Sequence, residues 1–124
     1  MLFRSPLARA ESMARPSILA FDLDPGPGAG LAECCTVAGW LRAMLGGLGL
    51  EAFAKTSGNK GMQVYVPLNH PEATYAGTKG LSRTIAQLLA SEAPELVVAT
   101  QAKAARANRV LIDWSQNEIG RAHV

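Results

Sequence analysis

Runs of apolar residues, separated by polar and glycine-rich segments, divide this chain of 124 residues into strand-like and helix-like parts. Ser17 to Asp24 is a short apolar run that stops at prolines and glycines, as strands often do. From Leu31 to Leu48 apolar residues recur at spacings of three and four, which predicts a helix with one buried face. The residues expected on that face are Leu31, Cys34, Ala38, Leu41, Leu45 and Leu48.

The second half of the chain repeats this alternation. Two strands are predicted at Glu51 to Thr56 and Met62 to Leu68, followed by a helix from about Thr78 to Ser91. Glu95 to Thr100 is either a short strand or irregular, and Arg109 to Trp114 is the last strand. The residues expected to face inward from the second helix are Leu81, Ile85, Leu88 and Leu89. The order predicts an α+β fold, a mixed or antiparallel sheet with helices packed on one side.

Composition and charge narrow the class of protein. The length fits one domain, and 48% hydrophobic residues with 6% aromatic residues suit an α/β core rather than a disordered chain. The formal net charge of +2 is too small to indicate nucleic-acid binding by itself. Cys34 and Cys35 are adjacent in a predicted helix, so we expect no disulfide between them and a reducing, cytoplasmic setting. No apolar run in the sequence reaches membrane-spanning length.

The two ends of the chain look foreign to the domain. The codons CTC TTC CGA TCT can encode Leu2 to Ser5, and their reverse complement contains ATC GGA AGA G, which can encode Ile119 to Arg121 and the start of Ala122. Both ends therefore resemble a translated sequencing adapter. We expect a fragment whose domain covers residues 6–117, with residues 1–5 and 118–124 outside it.

Three aspartates, Asp22, Asp24 and Asp113, are the only ones in the chain, and each closes an apolar run. Carboxylates are costly beside buried strands unless a cation meets them. Residues two apart on a strand share a face, so Asp22 and Asp24 can converge on a metal ion, although such pairs also serve as caps and turns. Asp113 joins them if its strand lies beside the first. The sequence predicts these three acids as catalytic ligands of two Mg²⁺ or Mn²⁺ ions.

A glycine-rich turn, Ser57-Gly58-Asn59-Lys60-Gly61, joins the two middle strands. Its glycines allow the backbone to approach a phosphate closely, and Ser57 and Lys60 can donate hydrogen bonds to it. The turn lacks the Gly-x-x-x-x-Gly-Lys-[Ser/Thr] pattern of a Walker loop. On this segment alone, a plain hairpin with a solvated lysine fits as well as a phosphate site.

Three segments in order resemble the polymerase domain of DNA ligase D from bacterial end joining, a branch of the archaeo-eukaryotic primase superfamily. They are Phe-Asp-Leu-Asp-Pro-Gly-Pro-Gly, Thr-Ser-Gly-Asn-Lys-Gly-Met and Ile-Asp-Trp-Ser-Gln-Asn. The resemblance covers roughly residues 15–117. It implies a truncated primase-polymerase catalytic core. Because the family's polymerase module has additional sequence on both sides, we expect the chain alone to be nearly inactive.

The resemblance also implies an activity. The family adds nucleotides, often ribonucleotides and preferably with manganese, to a DNA 3′ end during double-strand-break repair. The three aspartates would hold the two divalent cations. The residues that would bind the incoming NTP or dNTP are Ser57, Gly58, Lys60, Gly61 and Gln63. The implied partners are primer-template DNA ends, the end-joining Ku protein and a fused or separate ligase, in the bacterial nucleoid.

Two further features concern the charges around this site. Gln63 stands where the family commonly has histidine, and glutamine can donate to a phosphate but cannot become cationic. This difference predicts weaker triphosphate stabilisation or a divergent subgroup. Lys103, Arg106 and Arg109 precede the last strand and would form a basic approach that contacts DNA or nucleotide, although spaced charges are usually solvated.

Two other classes of protein fit part of the pattern. Phe-Asp-Leu-Asp also opens haloacid-dehalogenase-type phosphatases, in which the first aspartate is a nucleophile. Those proteins normally continue with Gly-Thr or a similar pair, whereas Pro25-Gly26-Pro27 follows here, and the Ser-Gly-Asn-Lys turn would be unexplained. A nucleic-acid-binding module with weakened catalysis is the second alternative, which Gln63 would favour.

Overall fold

Two helices and five strands form the part of the chain that this computed structural model describes, residues 18–58, 60–68, 75–100 and 106–117. The strands are β1 (Ile18–Pro25), β2 (Phe53–Thr56), β3 (Met62–Pro67), β4 (Val97–Val98) and β5 (Val110–Asp113). Helix α1 spans Leu31–Gly47, helix α2 spans Tyr75–Glu92, and a 3-10 turn covers Ser115–Asn117. The predicted order of elements is confirmed, and the optional fourth strand is present as two residues.

The strands form one mixed sheet with the order β2-β3-β1-β5-β4. Neighbouring strands are antiparallel except β4 and β5, which are parallel. Strand β1 is central because it pairs with β3 on one side and with β5 on the other. The strand that carries Asp22 and Asp24 therefore lies between β3, which follows the glycine-rich turn, and β5, which carries Asp113.

One face of the sheet is apolar and covered by both helices. Alternate residues of β1, namely Leu19, Phe21 and Leu23, are buried in a single cluster with side chains from α1 and α2. This period of two places the residues between them on the opposite face. Asp22 and Asp24 thus lie on the face of the sheet that the helices leave open. The predicted α+β fold with helices on one side is confirmed.

The buried face of α1 differs from the prediction at both ends of the helix. Leu31 and Leu48 are 45% and 57% exposed, whereas Val37, which the spacing did not select, is completely buried. Leu48 follows the last residue of α1, so helical spacing no longer sets its direction. Leu31 lies in the first turn, at the margin of the apolar stripe.

Helix α2 needs a similar correction. Leu88 was expected to face inward but is 46% exposed, while Leu89 is buried. The buried arc of the helix contains Thr78, Ser82, Ile85, Ala86 and Leu89. At about 100° per residue Leu88 falls outside this arc, so the inward prediction is confirmed for Ile85 and Leu89 and is wrong for Leu88.

Two further observations concern the cysteines and the helices. Cys34 is buried, Cys35 is exposed, and both are free thiols. Neither described helix combines the length and the apolar character needed to cross a bilayer.

Candidate catalytic and nucleotide-binding site

Asp22 of β1 lies directly opposite Asp113 of β5 in the antiparallel register. Residues that face each other across antiparallel strands have Cβ atoms roughly 4.5 to 5.5 Å apart and project from the same face. Both side chains are half-buried on the open face of the sheet. The structure thus brings together two of the three predicted acids, from distant parts of the chain.

Hydrogen bonds hold each of these carboxylates in place. Gln63 of β3 pairs with Asp22 on its other side and donates from Nε2 to Asp22 Oδ1 at 3.2 Å. The backbone N–H of Ser115 donates to Asp113 Oδ1 at 2.9 Å. Gln63, predicted as a phosphate ligand, therefore contacts a predicted metal ligand.

Asp24 shares the face of Asp22 but faces a different partner. It lies opposite Leu111, two residue pairs beyond the Asp22–Asp113 pair, and its side chain is 59% exposed. Arg106 Nη2 lies 3.8 Å from Asp24 Oδ2. An ion pair this long and this exposed contributes little stability, so it can give way to a cation or a phosphate.

The Pro-Gly-Pro-Gly segment explains how Arg106 reaches Asp24. The N–H of Gly26 donates to Arg109 O at 2.8 Å, and the N–H of Asn108 donates to Pro27 O at 2.7 Å. A Cβ at Gly26 would collide with the carbonyl of Arg106. The glycine therefore permits the segment after β1 to pack closely on the turn that leads into β5.

The predicted phosphate turn lies beside the same end of β1. The N–H of Ser57 donates to Gly61 O at 3.1 Å and closes the turn. Gly61 is buried, and a Cβ there would collide with the Leu23 carbonyl of β1. Ser57, Gly58 and Lys60 are exposed, so their donors remain accessible to a ligand.

Asn117 is a residue of this region that the sequence analysis missed. Its side chain accepts from Ala20 N–H at 3.1 Å and donates to Ala20 O at 2.7 Å, with a further bond to Trp114 O at 3.1 Å. The amide thus pairs with β1 like a further strand residue, just beyond the point where β5 ends. It ties the segment after Asp113 to the strand of Asp22. Its place in the Ser-Gln-Asn segment was the only sequence signal.

Of the three basic residues expected near the site, the two that the structure describes make different contacts. Arg106 lies at Asp24, and its Nε is buried without a hydrogen-bond partner in the structure. Arg109 lines a shallow cavity together with Gln87 of α2 and with Thr100, which follows β4. Lys103 lies outside the described residues.

The donor set around Asp22 and Asp113 fits a divalent cation. Two carboxylates that face each other repel, and Mg²⁺ and Mn²⁺ prefer such oxygen ligands. In the described ranges, no three acidic, histidine or cysteine side chains already converge as a complete metal site. Asp24 faces Arg106 instead, so it would have to leave that contact to join the pair.

Comparison with solved structures finds a chain of similar fold. The chain is similar to the "Polymerase Domain from Mycobacterium tuberculosis Ligase D in complex with DNA", with a TM-score of 0.78 and 42% sequence identity. The match covers 83% of this chain and 36% of that one.

Sequence comparison gives the family. A family model described as "LigD, primase-polymerase domain" matches residues 1–124, and the chain belongs to that family. It is 42% identical over 106 residues to the multifunctional non-homologous end joining protein LigD of Mycolicibacterium smegmatis, covering 86% of this chain and 14% of the relative. The corresponding Bacillus subtilis protein, described as bifunctional, is 30% identical over 107 residues, covering 86% of this chain and 18% of that protein. The chain therefore spans less than a fifth of the length of these relatives.

Proposed function

We propose that this chain forms the metal-binding core of an end-joining polymerase that adds nucleotides to a DNA 3′ end. The observation that carries the proposal is the opposition of Asp22 and Asp113 on the open face of the sheet, beside the turn that contains Ser57 and Lys60. Membership of the LigD primase-polymerase family and similarity to a polymerase domain described in complex with DNA support the same reading.

Each group at the site has a distinct role in this proposal. Asp22 and Asp113 hold divalent cations, and Asp24 joins them when it leaves Arg106. Bound Mn²⁺ or Mg²⁺ would make the primer hydroxyl more acidic and neutralise the triphosphate. Gln63 orients Asp22 through its hydrogen bond of 3.2 Å. Catalysis then depends mainly on positioning and on charge stabilisation.

The triphosphate binds where donors are exposed next to these acids. The turn supplies the hydroxyl of Ser57, the exposed backbone of Gly58 and the ammonium group of Lys60. Gly61 packs the turn against β1. Arg106, released from Asp24, becomes available for a phosphate of nucleotide or DNA. The proposed substrates are an NTP or dNTP and a primer-template end, with Ku and a ligase as partners in repair.

The test combines metal binding with primer extension by the 124-residue chain. Mn²⁺ binding is measured from the loss of the free-ion signal in electron paramagnetic resonance, and extension is followed with labelled nucleotide at enzyme excess. We expect a slow, Mn²⁺-dependent extension, because the chain covers only 36% of the solved polymerase domain that it resembles. Asp22→Ala and Asp113→Ala should each lower the rate by about 100-fold or more and weaken Mn²⁺ binding.

The controls separate this function from its alternatives. Glu51→Gln removes an exposed acid away from the predicted ligands and should change neither measurement. Unaltered extension by Asp113→Ala would reject the proposed role of the acids. DNA binding without Mn²⁺ binding or extension would reduce the chain to a binding module. The family match leaves the phosphatase alternative without support, and DNA-independent phosphatase turnover would be needed to revive it.

A further inference from the structure

An aromatic and cationic patch lies at the free edge of the sheet, outside the predicted triphosphate turn. The rings of Phe53 on β2 and Tyr65 on β3 stack with centroids 5.6 Å apart and an interplanar angle of 29°. Lys55 Nζ lies 5.6 Å from the centroid of the Tyr65 ring. We refer to Phe53, Lys55 and Tyr65 as the edge patch. Its outermost ring, Phe53, keeps 40% of its surface exposed.

The strand register places the edge patch on the same face as the acids. Lys55 pairs with Gln63, and Gln63 pairs with Asp22, so the three residues form one row across β2, β3 and β1. Phe53 and Tyr65 form the next row, two residues away along the strands. Standard strand spacings place these rings roughly 8 to 12 Å from Asp22. That distance corresponds to one or two nucleotides from the proposed site of reaction.

Strand pairing alone does not explain why aromatic and cationic side chains form the edge patch. A cross-strand aromatic pair contributes only about 0.2 to 1 kcal/mol, and all four residues of β2 are exposed. A large exposed ring beside a lysine supplies instead the two groups that a single strand of nucleic acid needs. Bases stack on aromatic side chains whatever their sequence, and the adjoining phosphates bind cations.

We propose that the edge patch binds one unstacked base of a DNA strand, with the adjoining phosphate on Lys55. This inference rests on the proposed function in taking DNA as the substrate, but it assigns a second contact surface, separate from the residues that bind metal and triphosphate. The base stacks on the exposed part of Phe53, and Tyr65 supports that ring from its other side. The patch thereby guides the strand toward Asp22 without discriminating among bases.

The experiment measures binding of a fluorescein-labelled single-stranded oligonucleotide to the 124-residue chain, by fluorescence anisotropy in EDTA. Without metal, the measurement is independent of catalysis. We expect Phe53→Ala to weaken binding by about 10-fold, and Phe53→Leu to weaken it similarly although an apolar side chain is kept. Lys55→Gln should lower the slope of log affinity against log salt by about one. Circular dichroism establishes that each variant is folded.

Trp40 provides the matched control. It is an aromatic residue of similar exposure, 37%, but it lies on α1, on the opposite side of the sheet from the acids. Trp40→Ala should bind the oligonucleotide like the unaltered chain. An oligonucleotide with 5-iododeoxyuridine should crosslink to Phe53 or Tyr65 when irradiated.

Several results would overturn the proposal. Unchanged affinity in both Phe53 variants, or crosslinks confined to the helices, would remove the patch from the DNA path. A dimer in solution that Phe53→Ala dissociates would show that a second copy covers the patch.

Other results separate the edge patch from the proposed polymerase function. Loss of Mn²⁺-dependent extension in Asp113→Asn with normal oligonucleotide binding would show that the two functions are distinct. If Mn²⁺ binding and extension are both absent but oligonucleotide binding depends on Phe53, the proposed polymerase function fails and the edge patch remains a nucleic-acid contact.

Discussion

Asp22 and Asp113 face each other across the two strands at the centre of the sheet, although they lie near opposite ends of the sequence. Packing of the sheet does not explain why two acids occupy these opposed positions. Like charges directly opposite each other destabilise a sheet. A cation between the carboxylates removes this repulsion. On the proposed function, metal occupancy should therefore stabilise the sheet.

The first prediction follows from this repulsion. Asp113→Asn should raise the metal-free free energy of unfolding by about 0.2 to 1 kcal/mol, because the amide keeps the acceptor for the Ser115 N–H and removes one charge. The same variant should lose most of the stabilisation that Mn²⁺ gives the unaltered chain. Thermal unfolding with and without Mn²⁺ measures both effects. Glu51→Gln carries the same charge change at an exposed position and should retain the Mn²⁺ response; a full response in Asp113→Asn would contradict the assignment.

Much of this arrangement could be predicted from the sequence. The alternation of Leu19, Phe21 and Leu23 with Asp22 and Asp24 fixes which residues of β1 face the helices, since side chains alternate along a strand. The element order and the one-sided packing followed from the same periodicities. These features depend on neighbours along the chain, so local patterns are sufficient to establish them.

The remaining features depend on register and on close contacts, which local patterns do not encode. The row that links Lys55, Gln63 and Asp22 requires the pairing of three strands. The contact between Asp24 and Arg106 requires the packing of two loops that are distant in sequence. Asn117 takes on its role only because β5 ends while β1 continues beside it. A side chain that forms hydrogen bonds with the backbone of another element, as Asn117 does, produces no periodic pattern in the sequence.

The second prediction concerns the two glycines of the proposed phosphate turn. Gly61→Ala should destabilise the chain by about 1 to 3 kcal/mol, because its Cβ would meet the Leu23 carbonyl and push the turn away from β1. Gly58→Ala should change stability by less than about 0.5 kcal/mol, since no atom lies within 4 Å of its Cβ position. Urea unfolding compares the two. Equal losses would show that the turn does not depend on close packing against β1.

The third prediction concerns the two adjacent cysteines, Cys34 and Cys35. Burial, assisted by the negative charge of Asp24, raises the pKa of the Cys34 thiol to about 11, and Cys34 has no exposed surface. At pH 8 a thiol reagent such as dithionitrobenzoate should therefore modify Cys35 quickly and Cys34 only after unfolding. Cys35→Ala should abolish the fast phase. A fast phase that persists in Cys35→Ala would show that the core opens at Cys34.

The same thiol gives a prediction on pH dependence. Between pH 9 and 11 the unfolded chain releases the Cys34 proton while the folded chain retains it, so stability is full below this window and falls as pH rises through it. Cys34→Ala should show a shallower decline over that range in urea unfolding, whereas Cys35→Ala should follow the unaltered chain. Parallel declines in all three proteins would mean that other groups dominate the pH dependence.

The fifth prediction concerns Asn117, which is 1% exposed and replaces a strand residue beside Ala20. Asn117→Ala leaves the buried N–H and C=O of Ala20 without partners, which should cost roughly 2 to 5 kcal/mol in urea unfolding. Asn117→Asp keeps the acceptor but places a carboxylate against the Ala20 carbonyl, so it should not restore stability. Ser115→Ala retains the backbone donor to Asp113 and should be nearly neutral.

A second measurement separates this role from simple packing. Ala20 lies two residues before Asp22, and Trp114, which also accepts from Asn117, follows Asp113. If Asn117 holds the two acids together, Asn117→Ala should weaken Mn²⁺ binding under conditions where the variant is still folded, while Leu88→Ala, at an exposed position on α2, should not. Normal Mn²⁺ affinity in a folded Asn117→Ala protein would restrict Asn117 to stabilising the sheet, and the geometry of the acid pair would then depend on the strand register alone.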